Sequence, residues 1–90
     1  MKQEASFFED RDAVLIYIAK RLNDAKRLES VLTEAGLDYG VEADEYRGGV
    51  VFVAARIGAF FYVLANTVAA ARESMLRHGF KPYEEPAPPK

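Results

Sequence analysis

One unit occurs twice in this chain and limits its folds more than any other feature: a five-residue apolar run, an asparagine, and a helix-like stretch stopped by glycine. The first copy runs Val14-Leu15-Ile16-Tyr17-Ile18, Asn23, Gly36, and the second Phe60-Phe61-Tyr62-Val63-Leu64, Asn66, Gly79. Asparagine and glycine are thirteen residues apart in both, and Ala25, Leu28 and Leu32 fall in register with Val68, Ala71 and Met75. Such a repeat speaks to fold and assembly, and names no chemistry.

A chain of 90 residues hides only about 64% of the surface its unfolded form exposes, which leaves room for one core. A hydrophobic share of 50% beside 29% charged residues is globular composition. With zero cysteines, disulfides, thiolate zinc sites and cysteine nucleophiles are absent together, and a small extracellular domain normally needs such staples. The expected compartment is the cytoplasm. No apolar run approaches the roughly 18 residues of a membrane span, and residues 1–6 lack the apolar stretch of a secretory signal. A net charge of −2 gives no handle on a phosphate backbone, so neither nucleic acid nor membrane is an expected partner. Locally, Asp38, Glu42, Asp44 and Glu45 crowd the middle of the chain, while Lys20, Arg21, Lys26 and Arg27 gather near the first helix.

Along the chain, residues 1–12 read as a flexible N-terminal segment, with Ser6 to Glu9 at capping-box spacing. Residues 13–80 read as a single α+β domain. Val14 to Ala19 has the continuous apolar, β-branched character of a strand covered on both faces. Asn23 or Asp24 offers a cap for a helix reaching Ala35, and Gly36 can take the left-handed conformation that ends it. Tyr39, Val41 and Ala43 alternate with Gly40, Glu42 and Asp44, as in a half-exposed strand. Arg47-Gly48-Gly49 suits a tight hairpin, so Val50 to Ala55 is expected to return antiparallel. Residues 56–59 then allow a second reversal before a strand over 60–65 and a helix over 67–78. Phe80 can pack back behind Gly79. Residues 81–90 hold all four prolines and read as an extended or disordered tail.

A helical reading competes, because Ile57, Phe61, Leu64, Val68, Ala71 and Met75 also step by four and three. Aromatic and β-branched density before each asparagine favours strands. Read this way, the strand, the stretch NDAKRLESVLTEAGLDY (23–39), the Gly-bearing hairpin and FYVLANTVAAARESML (61–76) resemble the small bacterial domains of unknown function grouped as prokaryotic signal-transducing proteins. The resemblance covers Val14 to Phe80. It implies a ferredoxin-like α+β fold akin to that of nitrogen-regulatory signalling proteins, with no catalytic residues to carry over.

The residues themselves offer little catalytic chemistry. His78 is the sole histidine, which leaves no His pair for a metal, and its position suits a helix C-terminus. Glu42 and Asp44 would share a strand face, a spacing open to a divalent cation through oxygen ligands, but no Asp-rich loop adds further ligands. Arg47-Gly48-Gly49 is too short for a phosphate loop and leads into a strand. With Val50 to Val53 it matches an RNA-recognition strand only through Phe52. No serine lies in a nucleophile elbow. The sequence therefore predicts no enzyme, catalytic residue, metal or cofactor.

Aromatic surplus is the stronger signal. If the strands alternate regularly, Phe61 and Val63 face one way and Phe60, Tyr62 and Leu64 the other, while Leu15, Tyr17 and Ala19 oppose Val14, Ile16 and Ile18. Both faces are apolar, and two helices shield only one. Each large side chain left in water forgoes about 1.5–3 kcal/mol of burial. The expected fold is a two-layer sandwich, a four-stranded mostly antiparallel sheet with two helices on one face. Its expected function is a non-catalytic binding or regulatory module, homodimeric through the other face, with Tyr17, Phe60 and Tyr62 as interface candidates. A protein partner or a small apolar ligand is the other possible cover. The alternative function is a small-molecule binder or minor enzyme with a pocket between subunits, lined by Tyr17, Tyr62, Arg56 and the acidic strand.

Overall fold

In a computed structural model, which describes residues 1–48 and 54–83 (backbone only at 46–48, 54 and 55), both apolar runs of the repeat are strands and both following stretches are helices. The elements are a 3₁₀ turn at Ala5–Phe8, β1 (Ala13–Ala19), α1 (Leu22–Glu34), β2 (Gly40–Gly48), β3 (Ala54–Leu64), a 3₁₀ turn at Ala65–Thr67, and α2 (Val68–Arg77). The one-helix reading through residues 57–75 is excluded by β3.

Both helices end by the same local device. Gly36 and Gly79 have φ of 73° and 81°, the left-handed region that costs a side chain energy. Past them the chain folds back: Leu37 N–H donates to Leu32 O at 3.0 Å and Gly36 N–H to Thr33 O at 3.0 Å. In α2, Phe80 N–H donates to Met75 O at 2.9 Å and Gly79 N–H to Leu76 O at 3.2 Å. This is the Schellman pattern, and its apolar contact follows, with Phe80 and Met75 both buried in the core. The start of α1 differs from expectation: Arg21 occupies the cap position and Asn23 lies inside the helix. For α2, whose cap is expected at Asn66 or Thr67, Thr67 occupies the position, and Asn66 accepts from Thr67 Oγ1 at 3.1 Å. Neither cap residue makes a side-chain capping bond. Asp24 in the first turn of α1 still faces the positive end of the helix dipole.

Among the described residues the sheet has three strands in the order β1-β3-β2, both neighbours antiparallel to β3, and not the four strands expected. The class is α+β, but the expected ferredoxin-like four-stranded sheet is corrected. Two expected strands, Val50 to Ala55 and residues 60–65, were to be split by a reversal at 56–59. Instead residues 56–59 stay extended inside β3, with Arg56, Ile57, Gly58 and Ala59 opposite Tyr46, Glu45, Asp44 and Ala43. Gly58 stands alone, without a second turn-forming residue, and its φ is not positive. Nine consecutive pairs with β2 hold it straight. Arg47 and Gly48, expected in a tight hairpin, are instead paired strand residues of β2, opposite Ala55 and Ala54, and Gly49 lies outside the described residues. The expected strand residues 50–53 lie outside the described residues, as do residues 84–90 of the expected tail. Tyr83, the last described residue, donates its N–H to Ile16 O at 2.7 Å on β1.

One core joins the layers. Phe61, Ile16, Leu28, Leu32, Met75 and Val63 are the largest fully enclosed side chains. Each contributes about 1.5–3 kcal/mol of transfer free energy, so a few of them match the whole stability of a small domain. Arg27 ties the helices together: its guanidinium carbon lies 4.2 Å from the centroid of the Phe80 ring, and Nη2 donates to His78 O at 3.2 Å.

Candidate functional site on the open sheet face

Strand alternation fixes this face from β3 outward. Phe61 and Val63 are buried beneath the helices, so Phe60, Tyr62 and Leu64 point to the opposite side, and all three are half-buried. Cross-strand partners share a face: Ile18 is opposite Phe60 and Leu15 opposite Tyr62 on β1, while Glu42 and Gly40 take the corresponding places on β2. The face is thus an apolar band of Leu15, Ile18, Phe60, Tyr62 and Leu64, bordered on the β2 side by exposed Glu42 and Asp44.

Of the three expected interface residues, the fold brings Phe60 and Tyr62 together and places Tyr17 apart from them. The pairing of β1 with β3 slips by one residue between Leu15 and Tyr17. This bulge turns Tyr17 to the helix side, opposite Phe61, where its ring meets Phe80 edge-on at 5.4 Å and its hydroxyl donates to Asp24 Oδ2 at 3.3 Å. Burial, and then the Asp24 carboxylate, push the Tyr17 hydroxyl pKa up.

Residues 1–8 add a feature to the open face that sequence reasoning missed. Lys2 bridges Tyr39 in parallel, with Gln3 N–H donating to Tyr39 O at 2.7 Å and Tyr39 N–H to Met1 O at 3.1 Å. Lys2 Nζ reaches Glu29 at 3.5 Å, and Gln3 Nε2 donates to Asp38 Oδ1 at 3.0 Å. The 3₁₀ turn then sets the Phe8 ring directly over Gly40. A Cβ at Gly40 would lie 2.5 Å from Phe8 Cε2, so the ring occupies the space of the missing side chain. Gly40 interrupting an alternating strand was the one available signal.

Between this arm and the sheet lies a cavity of about 300 Å³, lined by Gln3, Ala5, Phe8, Ala13, Glu42 and Tyr62 together with Gly40 and Val41. Burial raises the Tyr62 hydroxyl pKa, and the negative charges of Glu42 and then Asp44 act in the same direction. The remaining polar candidates are scattered. His78 Nδ1 lies 2.8 Å from Ser74 O at the end of α2, where the ring meets a free helix carbonyl. Arg56 is exposed on β3, and among the described residues no group of three or more His, Cys, Asp or Glu side chains converges. No described helix is long and apolar enough to cross a membrane. On the helix side, Leu22 and Ile57 stand exposed beside Ala19, Ala43 and Ala59.

Compared with family models, curated proteins and solved structures, the chain finds no match.

Proposed function

We propose that this chain is a non-catalytic binding or regulatory module that assembles as a homodimer through the sheet face opposite its helices. The observation that carries the reading is the band of Leu15, Ile18, Phe60, Tyr62 and Leu64, five large apolar side chains on a face that neither helix covers. The arm shields the Gly40–Tyr62 end of that band. Ile18 and Phe60 do not line the arm's cavity and keep their remaining exposed surface. A second copy could cover this surface because a two-fold contact brings the same band of each subunit together, and sheets stack at about 10 Å with their side chains interleaved. Glu42 and Asp44 at the β2 margin would form a solvated rim. The lack of cysteine accords with a cytoplasmic setting.

Sedimentation across the micromolar range tests the proposal. The native chain is expected to be dimeric, and Phe60→Glu to be a folded monomer, because a charge in a desolvated band has no partner. A native chain that stays monomeric throughout the range sinks the proposal.

A further inference from the structure

We infer that the cavity between the N-terminal arm and the sheet binds an organic monocation, an amine carrying a small apolar or aromatic group. This goes beyond the assembly proposal and does not depend on it.

Size, wall and charge point the same way. At about 300 Å³ the cavity stands at the lower end of the range for ligand pockets, which suits a small molecule. Phe8 and Tyr62 contribute aromatic rings, whose faces attract cations, and Ala5 and Ala13 supply plain apolar wall. Among the described lining residues the single charged side chain is the Glu42 carboxylate, and Asp44 shares its face two residues along β2. Gln3 donates its Nε2 to Asp38, so Oε1 is the end of that amide left to accept. The arm's own cations are engaged elsewhere. Lys2 pairs with Glu29 and the Arg11 guanidinium carbon lies 4.8 Å from the Phe7 centroid. A cavity with acceptors, aromatic rings and a carboxylate, and no cation of its own among the described lining residues, favours a positive guest. It does not suit a bare divalent ion, since calcium takes 6–8 oxygen ligands and one carboxylate, one amide and one phenol fall short.

Three near-isosteric probes isolate the charge: phenethylammonium, 2-phenylethanol and phenylacetate, each titrated calorimetrically into the full chain while backbone amides are followed by NMR. The amine is expected to bind with Kd below about 1 mM, about tenfold or more tighter than the alcohol, and the carboxylate not at all at about 10 mM. Shifts should centre on Gln3, Gly40 and Glu42. Glu42 is exposed, so Glu42→Gln should keep the fold, and it should weaken the amine about tenfold while leaving the alcohol unchanged. Phe8→Ala should weaken both, since it removes a wall. Equal binding of all three probes, no amine binding at about 10 mM, an unchanged affinity in Glu42→Gln, or shifts centred elsewhere would each overturn the inference. Ile18→Gln, which breaks the apolar band from the β1 side without placing a charge opposite Glu42, should disrupt the proposed dimer and leave amine binding intact, so the two proposals fail separately.

Discussion

Replacing Gly40 by alanine tests how the arm is held. The new Cβ would stand 2.5, 3.1 and 3.3 Å from Phe8 Cε2, Cζ and Cδ2. Carbon atoms settle at about 3.5–4.0 Å, so the ring must retreat by about 1 Å or more. Phe8 is half-buried, and losing that contact forgoes about half the burial value of a phenylalanine, ~0.75–1.5 kcal/mol. Against this, alanine inside a strand is better than glycine by about 0.5–1 kcal/mol. Gly40→Ala should therefore destabilise the domain by only about 0.5 kcal/mol, a small number hiding two larger opposed ones. A double-mutant cycle separates them. In a Phe8→Ala background the clash is gone, so Gly40→Ala should turn stabilising by about 0.5–1 kcal/mol, a coupling of about 0.75–1.5 kcal/mol. Urea unfolding measures the four stabilities, and hydrogen exchange at the Gln3 and Tyr39 amides, which bond across the arm, should accelerate in Gly40→Ala. Additivity within about 0.3 kcal/mol would refute the packing of Phe8 on Gly40.

Two further outcomes are expected. Gly36→Ala and Gly79→Ala each force a side chain into left-handed backbone and should cost about 1–2 kcal/mol, visible as a fall in Tm of about 4–8 °C per kcal/mol in a domain of this size. Stability should also fall on the alkaline side. Burial first raises the hydroxyl pKa of Tyr17 and of Tyr39 in the folded protein above the ordinary value of 10.0. The unfolded chain then loses these protons first, so their contribution is complete below pH ~10 and is lost as pH rises through the folded values. Melting curves from pH 9 to 12 should show a drop that Tyr17→Phe makes shallower, and a flat native profile contradicts the assignment.

The sequence by itself determined what is local. The glycine stops were legible because a left-handed residue and the hydrogen bonds around it act within six consecutive positions, Leu32 to Leu37 and Met75 to Phe80. The apolar runs before each helix were legible as strands from their β-branched and aromatic density, and the apolar register of Leu28, Leu32, Ala71 and Met75 marked residues that do lie in the core. Tertiary structure decided the rest. Whether Gly58 bends or stays extended depends on its partner Asp44, fourteen positions away in the chain. The face taken by Tyr17 depends on a one-residue slip against β3, which inverts the parity counted along β1 and parts Tyr17 from Phe60 and Tyr62. The cavity exists only because Phe8 comes to rest over Gly40, a contact no window along the chain contains. Backbone dihedrals are chosen by a residue and its near neighbours, whereas strand register, exposed face and pocket are chosen by whichever distant segment supplies the missing hydrogen bonds and apolar surface.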